Sequence, residues 1–324
     1  MRAIQVHTLT GPEGIRVEDV PQPELAEGSV LIDVHAAGVS FPDLLLTKGM
    51  YQFKPDPPFV LGSELAGTVR AAAEGSEFSV GQRVAALTFG AYADVASAPE
   101  MMTFPLPDEL SFEEGAGLII NYHTVLFALR DRGRLKSGET LLIHGAAGGV
   151  GTAAIQVAKA MGARVFGVVS SDEKAQTARD AGADEVFFTS ADWRKAAKAA
   201  TGGSGVDMVL DPVGGERFTD SLRSLADGGR VLVVGFAEGT IPEVRVNRLL
   251  LRNLDIVGVA WGSYVGTRPE LARAIGDGVN DLVVSGAVRP LVSESYAFDD
   301  AAAALRSLDD RSARGKVVLR VRED

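Results

Sequence analysis

The stretch from Thr140 to Lys174 constrains this chain more than any other. A short apolar run, Thr140-Leu-Leu-Ile-His144, ends in the turn Gly145-Ala-Ala-Gly-Gly-Val-Gly151. Apolar residues then recur at helical spacing (Ile155, Ala158, Met161), and a second apolar run, Val165 to Val169, follows. Strand, glycine turn, helix, strand is a βαβ unit with the turn chemistry of a dinucleotide site. A pyrophosphate must approach bare backbone N–H groups at a helix N-terminus, and small residues permit that approach. Ala147, Gly148, Gly149 and Val150 are the expected contacts. Gly148 lets the backbone near the phosphate, and Gly151 lets the helix lie close on the sheet. Ala146 stands where the fingerprint has its first glycine, with Gly145 just before it. A glycine turn of purely structural purpose is the competing reading.

The residues after the second strand bear on which dinucleotide is bound. An NAD site offers an acid about 20 residues on, at the strand end, for the ribose 2′-hydroxyl. Val169 holds that place, followed by Ser170 and Ser171. Asp172 comes later and opens the next helix, with Ser171 as its N-cap. Two hydroxyls and then Lys174 suit a 2′-phosphate, so NADPH is favoured over NADH. The alternative for Lys174 is a solvated first-turn lysine.

Composition narrows the class further. At 324 residues the chain is long enough for two domains, and 46% hydrophobic with 23% charged residues is ordinary for a globular protein. A net charge of −11 counts against a dedicated nucleic-acid or anionic-membrane binder. The sequence has no cysteine, which removes disulfides, cysteine zinc sites and thiol catalysis together. The start, Met1-Arg-Ala-Ile-Gln-Val6, lacks a basic-then-apolar signal, and no apolar run reaches membrane-spanning length. A cytoplasmic protein is expected.

The first hundred residues read as strands punctuated by Gly and Pro: Ala3 to Val6, Val30 to Val34, Ala66 to Val69, Val84 to Leu87. Val30, Ile32 and Val34 alternate with Leu31, Asp33 and His35, as in a strand with one buried face. No comparable helix is expected before Ser111-Phe-Glu-Glu114, which has the form of a capping box, and helical patterning continues to about Arg134. Strands and helices then alternate, which implies a parallel sheet covered on both faces, with ligands beyond the carboxyl strand ends. Those ends include Gly145, Ser170, Asp211-Pro212, Gly235-Phe236 and Ala260-Trp-Gly262. The tail carries two helices and a last strand, Lys316 to Val321, isolated from the others and so expected to return to the β-rich part.

The order of pieces resembles the medium-chain dehydrogenase/reductase superfamily, in particular its zinc-independent quinone oxidoreductase branch. Gly62-Ser-Glu-Leu-Ala-Gly67 is similar to its G-x-E-x-x-G element, and Ser79-Val-Gly-Gln-Arg-Val84 to its strand-entry element. His144 to Gly151 is similar to its glycine loop, and Arg314-Gly-Lys-Val-Val-Leu319 to its closing strand. The resemblance runs essentially end to end. It implies an α/β protein with a GroES-like β-rich domain and a Rossmann domain with a doubly wound parallel sheet. The expected boundaries are 1–122 for the first, completed by 263–324, and 123–262 for the second. Zinc-dependent relatives take ligands from positions that hold Ser40, Ser63 and Ile120 here, so no metal is expected.

Without zinc to polarise a carbonyl, acceptors that delocalise hydride charge are the sensible ones: quinones, enones or enoyl thioesters. Tyr51 lies where the resemblance places the catalytic tyrosine of 2-enoyl thioester reductases, and packing at a domain edge is the other reading. Ser40 and Asp43 complete the catalytic candidates, with a structural hydrogen-bonding role equally open for Asp43. Thr124 is similar to a threonine that contacts the nicotinamide carboxamide. Gly235, Phe236 and Lys316 are placed with the cofactor residues. Tyr122, Trp261 and Tyr264 are expected to line the substrate pocket, with plugging a domain interface as the other reading for Trp261 and Tyr264. His144 and Glu64 read as a core histidine and a buried, paired carboxylate.

The resulting expectation is an NADPH-dependent quinone oxidoreductase acting on a small quinone or activated alkene. The resemblance adds a homodimer formed through the strand near Leu254 to Val259. The rival enzyme is an NADPH-dependent enone or 2-enoyl thioester reductase. From another class, a dinucleotide-binding or RNA-binding protein without turnover stands as the alternative.

Overall fold

The computed structural model describes residues 1–322. The chain divides into two compact units. One comprises Met1–Ile120, Val265–Val284 and the chain from Arg289 onward; the other comprises Asn121–Tyr264 with Ser285–Val288. In chain order the first unit supplies β1 (Arg2–Val6), β2 (Ile15–Asp19), β3 (Ser29–Val39), β4 (Phe59–Val60), β5 (Glu64–Ala72), β6 (Arg83–Leu87), β7 (Val95–Pro99) and β8 (Thr103–Pro105). The second supplies β9 (Thr140–His144), β10 (Arg164–Val169), β11 (Glu185–Phe188), β12 (Val206–Asp211), β13 (Leu225–Val233) and β14 (Asp255–Gly258). The chain then returns to the first unit for β15 (Val292–Ala297) and β16 (Lys316–Arg320).

The first unit is built on a sheet of order β15-β16-β3-β5-β6-β8, with β7 also paired to β3, and a small sheet β2-β1-β4. Alternation along β3 does what period two demands: Val30, Ile32 and Val34 are fully buried, while Leu31, Asp33 and His35 are half-buried. They join Ile4, Val6, Leu65, Val84 and Leu319 in one apolar core. The closing strand pairs antiparallel with β3, Val318 facing Gly38, so the tail completes the β-rich unit.

One expectation for this unit fails. A helix, Phe41–Thr47, interrupts the strands well before Ser111. Ser40 is its N-cap residue, and the Asp43 carboxylate accepts the Ser40 N–H at 2.8 Å, a helix start written by Ser-x-x-Asp. Ser111 caps as expected, its Oγ accepting the Glu114 N–H at 3.2 Å while Glu114 accepts the Ser111 N–H at 2.8 Å. The helix it starts is short, Phe112–Gly115. Beyond it the patterning to Arg134 is a π-helical turn (Ile119–His123), a short α segment (Thr124–Leu126) and a second π turn (Phe127–Arg132). Such turns are rare and occur often at functional sites.

The second unit is a six-stranded sheet of order β11-β10-β9-β12-β13-β14, parallel throughout. Strand order runs outward from β9 one way and from β12 the other, so the switch point lies between these two strands, where ligands of doubly wound sheets bind. Its core gathers Leu142, Phe166, Val168, Val209 and Val231. No helix among the described residues is long and apolar enough to cross a membrane.

Candidate cofactor and active site

In the Rossmann unit the glycine turn joins β9 to the helix Gly149–Ala160. Gly145 takes φ +59°, a left-handed conformation that disfavours a side chain. The tight-turn role therefore falls one residue before the fingerprint position, which is why Ala146 is tolerated there. At Gly151 a Cβ would collide with the Gly145 carbonyl and the Ala146 backbone, so glycine sets how closely the helix lies on the strand. Gly148 is the N-cap with no side-chain cap, and a Cβ there would meet only the Gly145 carbonyl at 3.5 Å. The first N–H groups of the helix have no partner within it and point with its positive dipole end. Ala147, Gly149 and Val150 form a backbone surface suited to a pyrophosphate, while the Gly148 N–H is already given to the Gly145 carbonyl at 3.0 Å.

At the carboxyl end of the neighbouring β10, Ser171 caps the helix Asp172–Asp180 by accepting the Lys174 N–H at 3.3 Å. The Lys174 ammonium donates to Ser170 Oγ at 3.4 Å, which gathers two hydroxyls and a cation on one strand end. That donor set fits a 2′-phosphate. Gly235 and the exposed Phe236 follow β13, where Ala237 and Glu238 donate their N–H groups to Pro212 and Val213 beyond β12.

The other candidates of this unit are packed. Tyr122 is buried, its hydroxyl donating to Gln156 Oε1 at 2.8 Å, and Thr124 is half-buried one helical step on. Trp261 is buried edge-on against His123, ring centroids 5.2 Å apart. Tyr264 is 43% exposed and packs on Phe127 at 5.5 Å, so of the two aromatics past β14 it is the one that presents its ring to solvent. Burial pushes His123 down to about 3, which keeps its imidazole neutral. His144 is a core histidine, 2.8 Å from Ser221 Oγ and edge-on to Trp193; burial lowers its pKa.

The β-rich unit holds a different cluster, which sequence reasoning named only in pieces. Asp43, at 0% exposure, accepts from Ser63 Oγ at 2.5 Å, the Ser40 N–H at 2.8 Å and Tyr92 Oη at 3.0 Å. Burial pushes its carboxyl up to about 6 against these donors. Glu64, also at 0%, forms an ion pair with Lys316 and accepts from Ser40 Oγ at 2.9 Å and the Ile120 N–H at 2.9 Å. Lys316 in turn donates to Ser40 Oγ at 2.8 Å. Its ammonium is thus held inside the β-rich unit, and this arrangement does not offer it to a phosphate. Ser40 directs its one proton at Glu64. Tyr92 was missed altogether, since a tyrosine in Gly90-Ala-Tyr92 carries no pattern that separates it from packing. Tyr51 is half-buried against the core of this unit, and burial, then the Asp43 charge, raises its pKa.

These residues do not fit zinc. The Ser40 and Ser63 hydroxyls are committed to carboxylates, Ile120 has no donor side chain, and no group of three or more His, Cys, Asp or Glu among the described residues is placed to hold a metal.

Two family models match this architecture: the alcohol dehydrogenase GroES-like domain over residues 26–108, and the zinc-binding dehydrogenase over residues 149–277. A quinone oxidoreductase of Rattus norvegicus is 35% identical over 98% of this chain and 97% of its own length. A probable oxidoreductase from Mycobacterium abscessus is 46% identical, with 98% of each chain covered and a TM-score of 0.91. The Escherichia coli quinone oxidoreductase complexed with NADPH is 30% identical over 98% of this chain and 99% of that one, with a TM-score of 0.92. The chain belongs to the quinone oxidoreductase branch of the medium-chain dehydrogenase/reductase superfamily and is an oxidoreductase of that family.

Proposed function

We propose that this protein is an NADPH-dependent, zinc-independent quinone oxidoreductase. The observation that carries the reading is the trio Ser170, Ser171 and Lys174 at the end of β10, where an NAD site would present an acid. The glycine turn would hold the pyrophosphate, these three the 2′-phosphate, and Thr124 the nicotinamide carboxamide. When bound, the reduced nicotinamide supplies a hydride. The chain's own residues have to orient the acceptor and provide a proton. Tyr51 is assigned as proton donor: its phenol carries a proton at neutral pH, and burial, then the Asp43 charge, raises its pKa, so it gives that proton only to a strongly basic oxyanion. Ser40 and Asp43 act through position, bracing the start of the helix that precedes Tyr51. Tyr264 and Phe236 offer exposed aromatic faces to a flat acceptor. A site without a Lewis acid suits quinones, whose rings spread the incoming charge.

The assembly proposed is a homodimer in the cytoplasm. β14 is the outer strand of its sheet, Ile256 on it is 37% exposed, and Val246, Leu250 and Leu251 in the segment leading to it are 74–78% exposed. An apolar edge of this kind calls for a partner strand. Ile256→Lys is expected to yield monomers in light scattering, and an unchanged dimer would reject this edge as the interface.

The activity is tested by NADPH oxidation with a small benzoquinone and, separately, a 2-enoyl-CoA. Quinone turnover that prefers NADPH and drops in Tyr51→Phe, at unchanged NADPH affinity, is the expected outcome. Turnover of the thioester alone would move the assignment to an enoyl reductase. No oxidation with either would reject the acceptor class.

A further inference from the structure

We propose that Asn121 is a cofactor ligand: its side-chain amide donates to the pyrophosphate at the N-terminus of the helix Gly149–Ala160. The assignment deepens the dinucleotide reading above and rests on it.

The helix is twelve residues long and begins at Gly148 without any side-chain cap. Asn121 belongs to the same compact unit. Asn121 is 5% exposed, and no group among the described residues hydrogen-bonds its side-chain amide. The amide lies against the first helical residue: a Cβ built on Gly149 would sit 2.6 Å from Nδ2, 3.2 Å from Cγ and 3.3 Å from Oδ1. Glycine at 149 is therefore what admits the Asn121 side chain to the helix N-terminus, a requirement separate from the turn itself. The π-helical turn Ile119–His123 carries Asn121, while its neighbour Tyr122 is fixed by Gln156.

Its amide atoms are not sealed from solvent, so a ligand can reach them, and polar groups this far inside a folded protein are as a rule paired. Beside a helix N-terminus the fitting partner is an anion. A neutral amide can be buried there without the desolvation a lysine would suffer, and its N–H group adds a donor to the backbone N–H groups of the turn. The pyrophosphate is common to NADPH and NADH, so Asn121 should serve both cofactors alike, unlike Lys174.

The test measures equilibrium binding of NADPH, NADH and 2′-AMP, which lacks the pyrophosphate, to wild type, Asn121→Asp, Asn121→Ser and Lys174→Ala. A carboxylate at 121 should weaken NADPH and NADH together by about tenfold or more, and serine by several-fold, with 2′-AMP unchanged. Lys174→Ala should weaken NADPH and 2′-AMP and spare NADH. Wild-type dinucleotide affinity in both Asn121 variants would overturn the assignment, as would an equal loss for 2′-AMP, which marks a general disturbance of the unit. Failure of the wild type to bind either dinucleotide would reject the cofactor reading itself, and this assignment with it.

Discussion

The two polar centres of this protein are built on opposite terms. In the β-rich unit Asp43, Glu64 and Lys316 are buried, and each is bound by side chains or backbone of its own unit. In the Rossmann unit the glycine turn presents backbone donors with no partner inside the helix, next to Ser170 and Lys174 on a half-open strand end. A closed network holds a fold in one arrangement, and an open set of donors waits for a ligand. The first centre is the more highly charged, yet the second is the one we propose as the cofactor site.

That contrast is most severely tested at Lys316. Lys316→Met leaves Glu64 buried without its cation and should cost about 3–5 kcal/mol, read from the urea midpoint. Nucleotide affinity of the folded variant should be unchanged. Lost NADPH binding at unchanged stability would instead return Lys316 to the cofactor site, as the sequence reading had it.

Asp43 supplies the next largest effect. Its carboxyl rises from 3.8 to about 6 on folding, so the folded state binds that proton more tightly than the unfolded chain. Stability from this group grows as pH falls through 6 and is complete below 3.8, a span worth about 3 kcal/mol. Against an Asp43→Asn reference, the wild type should gain by about that amount between pH 7 and pH 3 in denaturant titrations. A flat difference would show that the three donors offset burial.

On the open side, Lys174→Ala should reduce NADPH preference over NADH by about tenfold, or about 1.4 kcal/mol, without moving the melting temperature. Equal affinity losses for both cofactors would remove Lys174 from the 2′-phosphate. The smallest change is Ser111→Ala, which deletes one helix cap and should cost about 1 kcal/mol of stability with activity intact.

Much of the open centre was legible because it is local. The turn, its helix and the Ser171 cap lie within one continuous stretch, and each depends on neighbours a few residues away. The helix Phe41–Thr47 was legible too: Ser40-Phe-Pro-Asp43 carries a start signal, although the same residues also stand at replaced metal-ligand positions. The closed centre was not legible as a network. Glu64 meets Lys316 across 252 residues, and Ser63 meets Asp43 across 20, through sheet pairings that no local pattern announces. Asn121 has no motif at all; its place is set by a glycine whose missing side chain makes room 28 positions downstream.

What the chain's sequence determined by itself was the alternation of strand and helix, the glycine turn and the hydroxyl-rich strand end, since periodicity and capping act within a few residues. The tertiary structure alone decided which polar groups are closed off and which remain open. That distinction depends on which distant side chains the folded backbone brings within hydrogen-bonding distance, and burial then fixes the cost of leaving any of them unpaired.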